Sequence, residues 1–203
     1  MSWLIGVDVG GTFTDFYAFE AAAGTVQLFK CPSTPDNPAR AIIEGLAELC
    51  AANGIEAGAV ERLSHGTTVA TNTLIQRRGG KVALITTEGF RDLLEVGRQT
   101  RPHMFDLQRD HPSPLVPRAL RLEVTERITA GGQVVGELDA GSVASAVAAL
   151  TGSGAEACAV CLLFSFLNGD HERRVGEALA QAAPDVKVSL SSEVQPEFRE
   201  YER

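Results

Sequence analysis

Positive charge is in short supply in this chain: 18 lysines and arginines face 26 aspartates and glutamates, a formal net charge of −8. Proteins that neutralise nucleic-acid phosphates need a basic face, so that class of partner is excluded. A small anion held by backbone N–H groups is not excluded, because such contacts need no net charge. No apolar run approaches the roughly 18–20 residues a membrane span requires, and no membrane partner is expected. Residues 1–7 carry no basic segment, and Asp8 cuts the apolar run early, so no secretory leader is read and the expected location is cytoplasmic. Cysteine is limited to four residues. Cys158 and Cys161 form a C-x-x-C, but inside the apolar run 157–164, which reads as a buried strand. Strand residues three apart point to opposite faces, so these sulfurs are expected to share neither a metal nor a disulfide.

What remains is an ordinary globular composition, 44% hydrophobic and 22% charged, over 203 residues. That length is the upper edge of one domain and suffices to bury about 70% of the unfolded surface without covalent staples. The first thirty residues read as three strands, 4–9, 14–19 and 26–30, joined by tight turns into an antiparallel meander. Ser33-Thr34-Pro35 reads as a helix start, and Ile42, Ile43, Leu46, Leu49 and Cys50 recur at helical spacing up to Gly54. Alternating elements follow: a weak strand at 62–65, a helix at 68–77 stopped by Gly79-Gly80, and a strand at 81–86. The rhythm then fails between 88 and 138, where Pro102, Pro112, Pro114 and Pro117 crowd together with Arg91, Arg98, Arg101 and Arg109. This stretch reads as an insert holding a hairpin, 121–129 with 134–138, in a core made of about 1–87 and 139–190. A helix through Val143, Val147 and Leu150, the strand 157–164, a helix through Val175 and Leu179, and a last strand at 186–188 complete the order. Residues 196–203 look like a helix start that stops without a cap, as expected for one lobe of a longer chain.

The strongest chemical signal is Asp8-Val9-Gly10-Gly11-Thr12-Phe13-Thr14-Asp15. A strand delivers an acid, two glycines open a turn, and a hydroxyl-rich strand leaves. Paired glycines let backbone N–H groups approach phosphate oxygens, Thr12 and Thr14 can add hydroxyl donors, and Asp8 suits a magnesium ion that keeps most of its waters. No lysine follows the glycines and no helix does either, so this is not a Walker A loop. The competing reading is a plain hairpin turn that uses Gly-Gly for positive φ.

Strand–DVGGT–strand followed by β and α elements resembles the first phosphate loop of the actin, hexokinase and Hsp70 ATPase superfamily. Four further strings narrow it: Ser64-His65-Gly66-Thr67-Thr68-Val69-Ala70-Thr71-Asn72, Thr86-Thr87-Glu88-Gly89-Phe90-Arg91-Asp92, Gly97-Arg98-Gln99-Thr100-Arg101-Pro102 and Arg199-Glu200-Tyr201-Glu202-Arg203. In this order they resemble the N-terminal region of the hydantoinase A/5-oxoprolinase family over essentially the whole chain.

The resemblance implies an α/β, ribonuclease-H-like lobe of the actin-like ATPase type. It implies an enzyme that uses ATP and Mg2+ to phosphorylate the carbonyl of a cyclic amide (hydantoin, N-methylhydantoin or 5-oxoproline), after which water opens the ring. Related members carboxylate ketones by the same activation. Partners implied are the C-terminal domains of the parent chain and a hydantoinase B-type subunit. By the same resemblance Asp8 is the catalytic and metal-holding acid, and Gly10, Gly11, Thr12 and Thr14 bind the nucleotide phosphates. Gly66, Thr67, Thr68 and Asn72 stand at a strand-to-helix junction, where free N–H groups make an anion or carbonyl site, against the alternative that Thr67 or Thr68 merely caps the helix. Arg98, Gln99 and Arg101 are candidates for the substrate: guanidinium forks suit carboxylate or phosphate, and Gln reads an amide edge. The alternative for these arginines is a salt bridge to a nearby acid such as Glu95. Asp15 either joins the loop or faces solvent, His65 is read as structural, and Arg91 with Asp92 as an ion pair. Glu200 and Arg203 match a family string without an assigned role. A sugar or carboxylate kinase sharing the DVGGT loop, and a non-catalytic nucleotide-binding module, stay open as rival readings.

Overall fold

The computed structural model describes residues 2–106 and 108–203 and divides into two compact units, Met1–Gly79 and Gly80–Arg203. The first unit is a four-stranded sheet with one long helix on it. Strands β1 (Trp3–Val9), β2 (Phe13–Glu20) and β3 (Thr25–Pro32) form the antiparallel meander read from the sequence, and β4 (Val60–Thr67) adds to β1 in parallel, in the order β3-β2-β1-β4. Alternation sends Trp3, Ile5, Val7 and Val9 of β1 and Phe16 and Ala18 of β2 to one face, where they meet Leu46 and Leu49 of helix α1 (Pro38–Asn53). Burying a side chain such as Phe16 contributes about 2–3 kcal/mol. Its ring lies so close to α1 that a Cβ on Gly45 would stand 2.5 Å from it, which is why this helix position carries no side chain. The helix ends at Gly54 with φ +63. Helix α2 (Val69–Gln76) follows β4 and is closed by Arg77 in the left-handed region rather than by the glycines at 79 and 80.

The second unit holds an all-parallel sheet, ordered β10 (Lys187–Leu190), β9 (Ala157–Cys161), β5 (Val82–Thr87), β6 (Arg121–Val124). Strand β5 is its centre, paired on one side to β9 and on the other to β6, and buries Ala83, Ile85, Thr86 and Thr87. Near-continuous apolar runs are the mark of strands covered on both faces. One expectation changes as a result: 121–124 are not half of a hairpin but pair with β5. The hairpin is smaller, β7 (Arg127–Ile128) with β8 (Val134–Gly136), turned at Gly132 with φ +76. Short helix α3 (Leu93–Val96) leaves β5's loop, helix α4 (Ala140–Ser153) packs on β6, and helix α5 (Asp170–Ala182) packs on β9 and β10. Asp139 caps α4 through the Ser142 N–H at 2.6 Å. After α6 (Ser191–Val194), residues 196–203 form turns with Arg199 at φ +69, not the helix start expected.

The four cysteines are free, and Cys158 and Cys161 stand on opposite faces of β9, as the spacing requires. Burial pushes the Cys158 thiol up to about 12. Replacing both with alanine is expected to leave the metal content of the purified protein unchanged, measured by elemental analysis; loss of a stoichiometric metal would overturn that. No group of three or more metal-ligating side chains exists among the described residues, and no described helix is long and apolar enough to cross a membrane.

Candidate functional site

The alternation that buries Val7 and Val9 turns Asp8 to the other face of the first sheet, away from α1. There Asp8 is exposed, opposite Asp15 on β2 and Gly66 on β4. Asp15 is engaged by Lys30 Nζ at 2.9 Å, a half-exposed pair worth at most about 1 kcal/mol. A cleft of about 800 Å3 opens on this face, lined by Gly6, Asp8, Asp15, Lys30, Ser64 and Gly66 among others.

The turn beyond Asp8 is built differently from a glycine hairpin, since neither Gly10 nor Gly11 has a positive φ. Gly10 donates its N–H to the Phe13 carbonyl at 3.0 Å, and a Cβ at Gly10 would lie 2.9 Å from that oxygen. Close backbone approach, not a left-handed angle, therefore demands glycine here. Ser33 clamps the turn from β3: its hydroxyl donates to the Gly10 carbonyl at 2.8 Å and its N–H to the Thr12 carbonyl at 2.9 Å. The helix expected to start at Ser33-Thr34-Pro35 begins at Pro38, and the Thr34 hydroxyl oxygen accepts the Ala41 N–H of its first turn at 3.1 Å. Thr14 is also corrected. It is fully buried on the α1 face with its hydroxyl 3.0 Å from Ser33's, so it supports the turn from beneath instead of facing a phosphate. Gly11 and Thr12 are exposed, and neither N–H has an acceptor among the described residues. Gly10→Ala is expected to destabilise the first unit by about 1–3 kcal/mol. Gly11→Ala, where the nearest neighbour is Asn72 Nδ2 at 3.5 Å, should change stability by less than about 0.5 kcal/mol. Urea melts of the two variants check this, and equal losses would remove the close-approach explanation.

The β4–α2 junction adjoins the same turn. The Thr68 N–H donates to the Val9 carbonyl at 3.2 Å, Asn72 Nδ2 donates to the Thr68 hydroxyl at 3.1 Å, and Gly66 lies beside Asp8 in register. The Thr67 hydroxyl accepts the Val69 N–H at 3.2 Å, so this residue does serve as a helix-start acceptor. His65 pairs in register with Val7, one residue off Gly66 and so on the opposite face, and is exposed. The two motifs, 8–12 and 66–72, are thus one constellation within the first unit.

Arg98, Gln99 and Arg101 belong to the second unit, in the excursion that follows β5 and α3. Arg98 Nε donates to Glu202 Oε1 at 2.5 Å. Gln99 and Arg101 are exposed with no side-chain partner among the described residues, and Gln99 has φ +56. Arg91 and Asp92 do not pair with each other: Arg91 is 3.6 Å from Glu123, and Asp92 takes a two-pronged bond from Arg118 at 2.7 and 3.0 Å. The Arg118 hydrogen bond holds the Asp92 carboxyl below the usual carboxylate range. Glu95 is bonded instead by Arg121, whose buried guanidinium also donates to the carbonyls of Val116 and Arg91.

Sequence reasoning passed over the polar residues at the carboxyl ends of the parallel strands. Glu126, buried, accepts from Thr87 and lies 2.8 Å from His171 Nδ1, while Thr87 accepts the Leu163 N–H at 3.0 Å. Glu172, fully buried, accepts from the N–H groups of Leu162 and Ser192 and from the Ser191 hydroxyl. A signal was available: His171 and Glu172 precede Val175 by four and three residues, on the inward stripe of α5.

The N-terminal region of the hydantoinase/oxoprolinase proteins is matched over residues 4–183. The chain belongs to the hydantoinase/oxoprolinase family. Caprolactamase subunit alpha from Pseudomonas jessenii is 38% identical over 205 residues, covering 98% of this chain and 29% of that protein. The acetophenone carboxylase gamma subunit of Aromatoleum aromaticum is 37% identical, again over 98% of this chain and 29% of its own length. Among solved structures, nucleotide-free acetone carboxylase superposes with a TM-score of 0.85 at 28% identity, over 97% of this chain and 30% of its own. The chain therefore spans about 30% of the length of these relatives. Hydantoinase/oxoprolinase relatives are ATP-dependent enzymes of two chemistries, amide opening and carboxylation, and several are subunits of larger assemblies. Both α/β units of this family member fall within the matched structures. Residues 184–203 lie beyond the matched family region.

Proposed function

We propose that this chain contributes the phosphate-holding lobe of an ATP-dependent enzyme that opens a cyclic amide. The observation that carries the reading is the pairing of an exposed carboxylate, Asp8, with two unpartnered backbone donors at Gly11 and Thr12, on a turn whose glycine at 10 and neighbour Gly66 leave room for close approach. This donor set fits a nucleotide phosphate with its magnesium: neutral N–H groups for the anion, and one hard oxygen for a cation that keeps most of its waters. When bound, ATP would supply the phosphoryl group that esterifies the amide oxygen and weakens the amide resonance, so that water can add at the carbon and the ring C–N bond can break, and magnesium would offset the charge on the phosphates. The Gly11 and Thr12 N–H groups would hold the phosphate oxygens and Asp8 would hold the metal, while Ser33 with buried Thr14 keeps the turn from collapsing. Gly66, Thr68 and Asn72 hold the rim of that turn. Gln99 and Arg101, exposed and without side-chain partners among the described residues, are the groups we assign to the substrate, with Arg98 beside them. A β3-β2-β1-β4 order with only β4 parallel is compatible with a ribonuclease-H-like lobe. The remaining domains of the parent chain, a hydantoinase B-type subunit and a cytoplasmic setting belong to the same proposal.

Ketone carboxylation is the second reading, favoured by the acetophenone carboxylase and acetone carboxylase likenesses. Both are tested by phosphate release from the full chain with its partner subunit, given 5-oxoproline, hydantoins, caprolactam, ketones with bicarbonate, or sugars in separate reactions. Stimulation by one cyclic amide with its ring-opened product is expected. Turnover with a ketone and bicarbonate alone would move the protein to the carboxylases, and a phosphorylated sugar would make it a kinase.

A further inference from the structure

The segment 197–203 follows α6 and touches two loops at the carboxyl ends of the second unit's strands. Its anchor is Arg203, whose side chain is fully buried. The guanidinium donates to the Leu162 carbonyl at 2.7 Å, the Ser191 hydroxyl at 2.7 Å and the Glu197 carbonyl at 2.8 Å, and lies over the Phe166 ring. Glu200 accepts the Phe164 N–H at 3.0 Å, fixing the exit of β9. Between these anchors Glu202 projects to Arg98, and the Tyr201 ring lies beside Gly97. A Cβ at Gly97 would stand 3.4 Å from that ring, and Gly97 has φ +52, so glycine lets the 97–99 turn seat there.

Backbone strain marks the same place. Among the described residues, four non-glycine residues have a left-handed φ: Arg77, Gln99, Phe164 and Arg199. The last three lie in this segment or in the two loops it touches. Such residues are strained and persist where the surroundings over-determine them. An isolated exposed arginine would sample many rotamers. Here the acid it meets is set on a backbone held at 200 and 203, which restricts the Arg98 side chain. The Arg98 hydrogen bond in turn holds the Glu202 carboxyl below the usual carboxylate range, and the pair is complete at neutral pH.

We propose that Glu202 is a positioning residue: through Arg98 it fixes the 97–101 turn in the conformation that meets the substrate, while Glu200 and Arg203 tie that turn to the β9 exit loop at 162–166. The proposal rests on the assignment of residues 97–101 to the substrate.

The test is Glu202→Gln in the full chain with its partner subunit. The KM for whichever substrate stimulates ATP hydrolysis is expected to rise about three- to five-fold, as for loss of one solvent-exposed ion pair, with the KM for ATP within about two-fold. Glu202→Asp should recover most of the loss. Independently of any substrate, hydrogen exchange of the 97–101 amides should accelerate in Glu202→Gln, and that of both 97–101 and 161–166 in Arg203→Lys. Unchanged exchange at 97–101 in Glu202→Gln would overturn the proposal, as would exchange that accelerates without a change in substrate KM, or equal rises in KM for substrate and ATP. Wild-type enzyme silent towards every cyclic amide would refute the function proposed above, while the exchange measurements would still decide the role of Glu202.

Discussion

Replacing Asp8 with asparagine should lower ATP turnover by on the order of 10³-fold while leaving the melting temperature unchanged. The two halves of this expectation come from the same geometry. Asp8 sits on the open face of the first sheet, is exposed, and makes no ion pair or side-chain hydrogen bond among the described residues, so the fold does not depend on its charge. Surface substitutions of this kind stay within about 0.5 kcal/mol. A carboxylate held beside a phosphate-binding turn is a different matter. Asparagine keeps the shape but loses the charge that a hydrated magnesium prefers, and losses of about 10²–10³ are typical where one electrostatic group at a reacting centre is removed. Steady-state phosphate release with the stimulating substrate, and a thermal melt of the same preparation, check both halves. Turnover within ten-fold of wild type would take Asp8 out of the metal site.

The second large effect is one of stability. Glu172 at the start of α5 is fully buried and accepts three hydrogen bonds: from the Leu162 N–H at 2.9 Å, the Ser192 N–H at 2.8 Å and the Ser191 hydroxyl at 2.7 Å. It thereby joins the exit of β9, the start of α6 and helix α5. Glu172→Ala strands all three donors away from water, and removing one member of such a buried charged cluster costs about 3–5 kcal/mol. The β5 and β9 amides exchange through opening of this unit, so their exchange should accelerate by about 100-fold or more. Acceleration of less than about ten-fold would show that water replaces the carboxylate at little cost. Glu172→Gln keeps one acceptor oxygen but points an amide N–H at a donor, and should fall between the two.

Periodicity and turn chemistry sufficed for most elements. The period-two run in β1, the helical spacing of Ile42, Leu46 and Leu49, and Gly54 just past the last turn are local signals, and they ended where expected. The same reasoning failed for pairing. Val82-Ala83-Leu84-Ile85 reads as a buried strand in any sheet, and nothing in those four residues says that its neighbours are β9 and β6 rather than the first sheet. Residues 121–129 were misread for the same reason, since a run of strand formers before a glycine turn is a hairpin unless a parallel partner claims it first.

The candidate site divides along that line. The acid, the two glycines and the threonines at 8–14 stand out in the sequence because an acid, paired glycines and hydroxyls fall together at one strand turn. Only the tertiary structure distinguishes exposed Thr12 from buried Thr14, because one residue of strand register decides which face a side chain takes. Only the structure finds Ser33 under the turn, Glu172 at the junction of three elements, or Glu202 on Arg98, more than a hundred residues away in the chain. The sequence by itself determined which segments become strands and helices and that an acid and paired glycines share one turn, because these follow from local periodicity and backbone freedom. Which strands pair, which hydroxyl faces a ligand and which acid claims which arginine were decided by the fold, because hydrogen bonds and charges act on distance in space and leave no period in the chain.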